Sequence, residues 1–245
     1  VRNEKGDVRQ AFVSISSGCN NYCTFCVVPY SRGFERSRDL GGVIEECRDL
    51  VNHGALEITL LGQNVNTYRP VDVDDRSKLN PYIDPFAVLL WELNQLSGLE
   101  RIHFTAPNPQ DMSDEVIAAL GLPKHVNYLH LPVQSGSNRI LKKMNRRYTR
   151  EQYLDIISKV KKIRPDIALG TDIIVGFCSE TDEDFMDTVD LFLKADFDIS
   201  YTAQYSKRSG TLAAKLWEDD VPREEKKRRW EFLQKTMEEN VLRKN

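Results

Sequence analysis

Apolar and polar positions along the chain follow two periods. Residues 11–16 (AFVSIS) place apolar side chains at alternate positions, the spacing of a half-buried strand. Further on, Val43, Ile44, Cys47, Leu50 and Val51 recur at helical intervals. This predicts a helix that begins at Asp39 or Gly41 and stops at Gly54, a residue suited to a helix C-terminus. The two patterns then alternate. Strands are predicted over 57–61, 101–105, 126–131, 167–175 and 197–203, and helices over 85–96, 114–120, 137–144, 149–163, 181–195 and 222–244. Local chemistry supports these boundaries. Ser113 is placed to cap the helix from Asp114, and Thr149 with Gln152 has the spacing of a capping box. Thr181 and Asp184 also stand at cap spacing, and Pro165 ends the helix before it. Residues 67–85, rich in Asp and Pro, are predicted to form a loop, as is most of 204–220. Residues 1–8 are polar and fit a linker remnant.

Six strand–helix units in alternation argue for an α/β fold with a parallel sheet and helices outside it. Six are too few for a complete eight-unit barrel. The unusual sequences GCNNYC, GQN, PVQSG and GF all follow predicted strand C-terminal ends, where parallel α/β folds place their sites. No internal repeat or low-complexity segment interrupts the pattern.

A chain of 245 residues allows one large domain or two small ones and a sizeable core. Hydrophobic residues at 40% and charged residues at 29% are ordinary for a globular protein. No long apolar run predicts a membrane span, and the N-terminus has no signal-peptide pattern. The start at Val1 suggests a piece of a longer protein. A net charge of −3 argues against indiscriminate nucleic-acid binding. Positive charge is local, at Arg32, Arg36 and Arg38, over 142–150, and over 226–229. Each run also fits a solvated helix face.

Three of the five cysteines fall in one loop, as Cys19-x3-Cys23-x2-Cys26. Three thiolates within eight residues converge on one small object only if the chain loops around it. Such sulfur sets hold iron–sulfur clusters and also suit zinc. A closed structural zinc site has four protein ligands, so three leave a position open. A zinc loop completed by a distant ligand, or free cysteines, are the alternatives. Clustered cysteines without a secretory signal fit a reducing compartment, here the cytoplasm.

CxxxCxxC with an aromatic residue before its last cysteine is the signature of the radical S-adenosylmethionine (SAM) superfamily. The strings CTFCVVPYSRG, LLGQNVNTYR and HLPVQSGSNRILKKMNRRYT narrow the match. Over nearly its whole length the chain resembles the methylthiotransferases, and among them the MiaB-type, tRNA-modifying branch. The resemblance implies a curved, partial six-unit (β/α)6 TIM-like barrel. It also implies a 4Fe–4S cluster on Cys19, Cys23 and Cys26, with SAM on the open iron, and reductive cleavage of SAM.

Site residues carry over motif by motif. Phe25 corresponds to an aromatic that packs near adenine, with simple core packing as the alternative. Gln134 and Asp172 correspond to groups that bind the ribose hydroxyls, and Arg146 to an arginine that pairs with the SAM carboxylate. Gln63, in the Gly62–Asn64 loop, falls where the superfamily recognises the methionyl amino group, and Gly176 where backbone approaches adenine. No further catalytic residue is assigned. Arg32, Arg36, Arg38 and Arg208 are candidates to meet RNA phosphates.

The full enzyme implied by the resemblance adds a methylthio group to C2 of N6-isopentenyladenosine-37 in the tRNA anticodon loop. It draws electrons from a flavodoxin-type donor. The related branches act on a ribosomal-protein aspartate or on threonylcarbamoyladenosine. A non-catalytic, zinc-stabilised RNA-binding module is the reading from another class. Complete family members carry an N-terminal domain with a second 4Fe–4S cluster and a C-terminal TRAM domain, and neither is in this sequence. The expected division is a radical SAM core over 1–220 and a helix over 221–245 leading toward the TRAM domain. Such a piece is expected to cleave SAM but not to complete methylthiolation. Cys47 reads as a small buried hydrophobe; Cys178 stands where the family usually has proline.

Overall fold

A computed structural model describes residues 9–244. The polar stretch 1–8 lies outside the described residues. In chain order the elements are β1 (Gln10–Ser14), β2 (Ser16–Ser17), α1 (Val28–Arg32), β3 (Arg36–Ser37), α2 (Leu40–Asn52) and β4 (Glu57–Leu61). There follow α3 (Pro85–Asn94), β5 (Arg101–Phe104), α4 (Asp114–Ala119), β6 (Tyr128–His130), α5 (Asn138–Lys143) and α6 (Arg150–Ile163). The last are β7 (Ala168–Val175), α7 (Asp182–Ala195), β8 (Ile199–Gln204), α8 (Leu212–Leu216) and α9 (Arg223–Lys244). All six expected strands and the alternating helices are present, so the α/β class expected from periodicity holds.

The chain divides into two compact units. The first comprises residues up to 19, 34–127 and 159–166. Its sheet runs β1-β4-β5, all parallel, with Gln10 opposite Glu57 and Ile58 opposite Ile102. The central β4 buries Ile58, Thr59 and Leu60 in succession, as a parallel strand covered on both faces must. Val43 and Cys47 of α2, and Phe86, Leu89 and Leu93 of α3, are fully buried with it. Cys47 is thus the buried hydrophobe expected, and burial pushes its thiol up to about 12. The polar segment 67–85 is tied down: Asp72 accepts from the Leu40 and Gly41 N–H groups at 2.6 and 2.9 Å, satisfying the first turn of α2.

The second unit comprises residues 20–33, 128–158 and 167 onward. Its sheet runs β6-β7-β8, again parallel, with His130 opposite Gly170 and Asp172 opposite Tyr201. Along β7, Leu169, Thr171, Ile173 and Val175 are fully buried, while Ala168, Asp172 and Ile174 are only partly so. Period two therefore sends one set to the core and turns the other to an accessible face. Thr181 and Asp184 form the expected capping box at the start of α7. On β8 and the end of α7, α9 packs through Trp230 Nε1, which donates to Thr202 O at 2.8 Å, and Asn240 Nδ2, which donates to Phe197 O at 3.0 Å. The strand expected over 126–131 is interrupted. Val126 N–H donates to Ile102 O at 3.0 Å within the first unit, and ladder pairing to β7 starts at Tyr128 in the second.

Candidate functional site

In the first unit the loops after β1 and β4 are stitched together. Gly62 has no room for a side chain, since a Cβ would lie 2.5 Å from Ser16 Oγ and 3.2 Å from Val65 Cα. Gln63 Oε1 accepts from Gly18 N–H at 2.7 Å, and Gly18 holds a left-handed φ of 77°. Gln63 therefore anchors the backbone just before Cys19, which is buried. Asn66 and Asn108 exchange bonds of 3.0 and 2.8 Å, tying this loop to the one after β5. Arg38 donates to Ser14 O at 2.9 Å and pairs with Glu46 at 2.6 Å, so its charge is partly committed inside the unit. Arg32, Arg36 and Arg208 are exposed.

In the second unit the cysteine loop is clamped by the end of α5. Thr24 N–H and Oγ1 donate to Met144 O and Lys143 O at 3.1 and 3.0 Å. Asn145 Nδ2 donates to Asn21 O and Tyr22 O at 2.9 and 3.1 Å. This turns Cys23 and Cys26 about one another, with Cys26 N–H on Cys23 O at 3.0 Å. Both sulfurs receive N–H donors: Val28 N–H lies 3.4 Å from Cys26 Sγ, and Arg146 Nη1 lies 3.4 Å from Cys23 Sγ. Burial pushes the Cys26 thiol up, against the pull of Val28 N–H and Arg146.

Arg146 is built in rather than left on the surface. Its Nε donates to Tyr148 Oη at 2.9 Å and its Nη2 to Pro132 O at 3.1 Å. Burial works against the cation, but the Tyr148 hydroxyl and the Cys23 sulfur outweigh it and raise its pKa. Phe25 packs edge-on to Phe177, with ring centroids 6.5 Å apart, against a cluster that includes Ile140, Met144, Cys178 and Tyr205. Cys178 belongs to the same cluster, 1% exposed.

Gln134 and Asp172 are neighbours. Gln134 N–H donates to Asp172 O at 2.8 Å, and Ile174 N–H returns to Gln134 O at 2.9 Å. Gln134 sits at φ 70°, a costly conformation for a side-chain-bearing residue and one that gathers at functional sites. Asp172 Oδ1 lies 3.0 Å from His130 Nε2, and its side chain is 41% exposed. Gly176, at φ 69°, donates its N–H to Glu180 Oε2 at 2.6 Å. Arg229 Nη1 holds the same oxygen at 2.7 Å, so α9 fastens the turn beside Gly176.

His130, Tyr128 and Glu180 were not singled out from sequence. For His130 the available signal was its place two residues before Pro132 in HLPVQSG and two residues after Tyr128, of the same strand parity. Among the described residues no group of three or more His, Cys, Asp or Glu side chains is gathered as a metal site. The donor chemistry of the cysteine loop nevertheless fits an iron–sulfur cluster. It offers soft sulfurs on one loop, with N–H donors already aimed at two of them, the groups that tune such clusters. No described helix is long and apolar enough to cross a membrane.

Comparison with known proteins gives concordant findings. Residues 13–192 match the model of the radical SAM superfamily. A tRNA-2-methylthio-N(6)-dimethylallyladenosine synthase of Acetivibrio thermocellus is 51% identical over 234 residues, covering 95% of this chain and 47% of that protein. The protein of the same name from Caldicellulosiruptor saccharolyticus is 50% identical over 236 residues, covering 96% and 48%. The chain spans about half the length of the curated relatives it matches. Among solved structures, the radical SAM methyltransferase TsrM from Kitasatospora setae, with cobalamin and a 4Fe–4S cluster bound, aligns with a TM-score of 0.67 at 18% identity. The alignment covers 84% of this chain and 38% of TsrM. At that identity the likeness is one of fold.

Proposed function

The chain belongs to the radical SAM superfamily, and on that footing we propose that it is the SAM-cleaving core of a tRNA methylthiotransferase. The observation that carries this is the Cys19-x3-Cys23-x2-Cys26 loop, with Arg146 and Val28 donating to the Cys23 and Cys26 sulfurs. Cys19, Cys23 and Cys26 hold a 4Fe–4S cluster. With SAM bound, the cluster supplies one-electron reductive cleavage.

The chain's own residues place the ligand. Asp172, with one carboxylate oxygen committed to His130, offers the other to the ribose hydroxyls, beside Gln134. Arg146, its cation held next to Cys23, would pair with the SAM carboxylate. Gln63 holds the loop ahead of Cys19. Phe25 and Gly176 bound the adenine end, Phe25 through its packing on Phe177.

The relatives' names point to the whole protein's reaction, 2-methylthiolation of N(6)-dimethylallyladenosine in tRNA, and the family resemblance puts that base at position 37 of the anticodon loop. A base in the anticodon loop is a sound target, since unpaired bases can be splayed into a pocket. Residues 9–220 form the core, and the charged helix α9 follows it. The second 4Fe–4S cluster belongs to the remaining part of the full-length enzyme. A flavodoxin-type reductant in the cytoplasm supplies the electron.

Anaerobic reconstitution with iron and sulfide tests the assignment. About four irons and four sulfides per chain are expected, with a brown colour. Alanine at Cys19, Cys23 or Cys26 is expected to abolish both. Stoichiometric zinc in a colourless protein would overturn the reading. For the substrate, an anticodon stem-loop carrying N6-isopentenyladenosine is expected to bind more tightly than its unmodified counterpart. Equal binding of the two would count against the tRNA assignment.

A further inference from the structure

On the accessible face of β6-β7-β8 three side chains form one hydrogen-bonded chain. Tyr128 and His130 of β6 share strand parity, and so do Gly170 and Asp172 of β7. The register sets His130 opposite Gly170, and Asp172 opposite Tyr201 of β8. The Tyr128 hydroxyl lies 3.0 Å from His130 Nδ1, and His130 Nε2 lies 3.0 Å from Asp172 Oδ1. An ionised carboxylate only accepts, so Nε2 carries a proton, and in the ring with one proton that leaves Nδ1 to accept from Tyr128. Burial, then the nearby Tyr201, Asp172 and Asp198, push the Tyr128 hydroxyl up to about 12, which keeps it a donor at neutral pH. Gly170 makes room for the pair. A Cβ there would lie inside van der Waals contact of Tyr128 Oη and 2.8 Å from both His130 Nδ1 and Tyr128 Cζ. The ring of Tyr201, 59% exposed, stands 5.7 Å from that of His130, on the residue paired with Asp172 in the ladder.

We propose that Tyr128 and His130 are positioning residues that fix Asp172 Oδ1, so that Oδ2 is presented to a vicinal diol, the ribose of an adenosyl ligand. The inference rests on the reading of Asp172 as a ribose ligand. A strand carboxylate left to itself rotates, and ordering it on binding costs affinity. A charge-assisted bond from His130 orders it beforehand, and Tyr128 selects the tautomer able to make that bond. Each carboxylate oxygen accepts two bonds, so anchoring Oδ1 still leaves Oδ2 whole for two hydroxyls.

The test is calorimetric binding of S-adenosylhomocysteine and of its 2′-deoxy counterpart to the full chain, with nitrogen-15 NMR of the histidines. The wild-type chain is expected to prefer the ribose ligand at least tenfold, and Asp172→Asn to abolish that preference. His130→Ala is expected to weaken the ribose ligand about tenfold, one hydrogen bond to a charged group, and to weaken the 2′-deoxy ligand, which keeps only the 3′-hydroxyl, distinctly less. His130→Gln, whose amide N–H reaches where Nε2 did, is expected to restore most of the loss. NMR is expected to show His130 protonated at Nε2 before any ligand is added, and less strongly so in Tyr128→Phe. Equal weakening of both ligands by His130→Ala, or a proton on Nδ1, would overturn the positioning role. A ribose preference that survives Asp172→Asn, or is missing from the wild-type chain, would instead overturn the assignment of Asp172 itself.

Discussion

Replacing Gly170 with alanine drives a methyl group into the Tyr128–His130 pair. In an open strand this change would gain about 0.5–1 kcal/mol of backbone entropy. Here the new Cβ falls inside contact of Tyr128 Oη and 2.8 Å from His130 Nδ1, and both rings must move. Overpacking of this kind costs about 1–3 kcal/mol, and losing the Tyr128–His130 bond about 1 kcal/mol more. The net expectation is a destabilisation of about 2 kcal/mol, read as a lower urea midpoint at unchanged slope. A double-mutant cycle locates the cause. Tyr128→Phe removes the nearest atom but leaves Cζ at 2.8 Å, so Gly170→Ala should cost about 1 kcal/mol less in that background. A Gly170→Ala chain within about 0.5 kcal/mol of wild type, or strict additivity with Tyr128→Phe, would refute the close packing from which the hydrogen-bonded chain is argued.

Three further outcomes are expected. His125, 4% exposed, is pushed down to about 4 by burial, with its Nδ1 on Val126 O at 2.7 Å. Its folded pKa lies below its unfolded one, so the unfolded chain takes the proton first. Stability is unaffected above about pH 6.5 and falls as pH drops toward 4, by about 2 kcal/mol at pH 5; urea midpoints at pH 7 and 5 should lose this dependence in His125→Asn. Arg146→Met removes the donors to Cys23 Sγ, Tyr148 Oη and Pro132 O. It should cost about 2–3 kcal/mol in denaturant unfolding and lower the iron retained after reconstitution, and Arg146→Lys should recover only part, since one ammonium does not span three acceptors. Glu180 and Arg229 form a buried pair, 1% and 4% exposed, so Arg229→Met should cost about 3–5 kcal/mol. Adding Glu180→Gln should recover much of that loss in thermal melts, because no unpaired charge is then left buried.

The elements legible in the sequence were those long enough to show a period. All six strands of the two parallel sheets and the helices between them follow from it. Helices α1 and α8, five residues each, and the two-residue strands β2 and β3 are too short to carry one. Asp72 closing the first turn of α2 was hidden for another reason: the bond spans 32 residues and depends on tertiary placement. The cysteine loop was legible because its chemistry is local in sequence. The links from Gln63 to Gly18, Arg146 to Cys23 and His130 to Asp172 cross 45, 123 and 42 positions, and only strand register and loop packing bring them together. Phe25 stands at the motif's aromatic position and also packs on Phe177, a contact the motif alone does not announce.

The most direct measurement of the central claim is product analysis after anaerobic reconstitution, reduction and addition of SAM. The account predicts 5′-deoxyadenosine and methionine in equal amounts, both lost in Cys23→Ala. A chain that carries its cluster, binds SAM and forms neither product under reduction would contradict it.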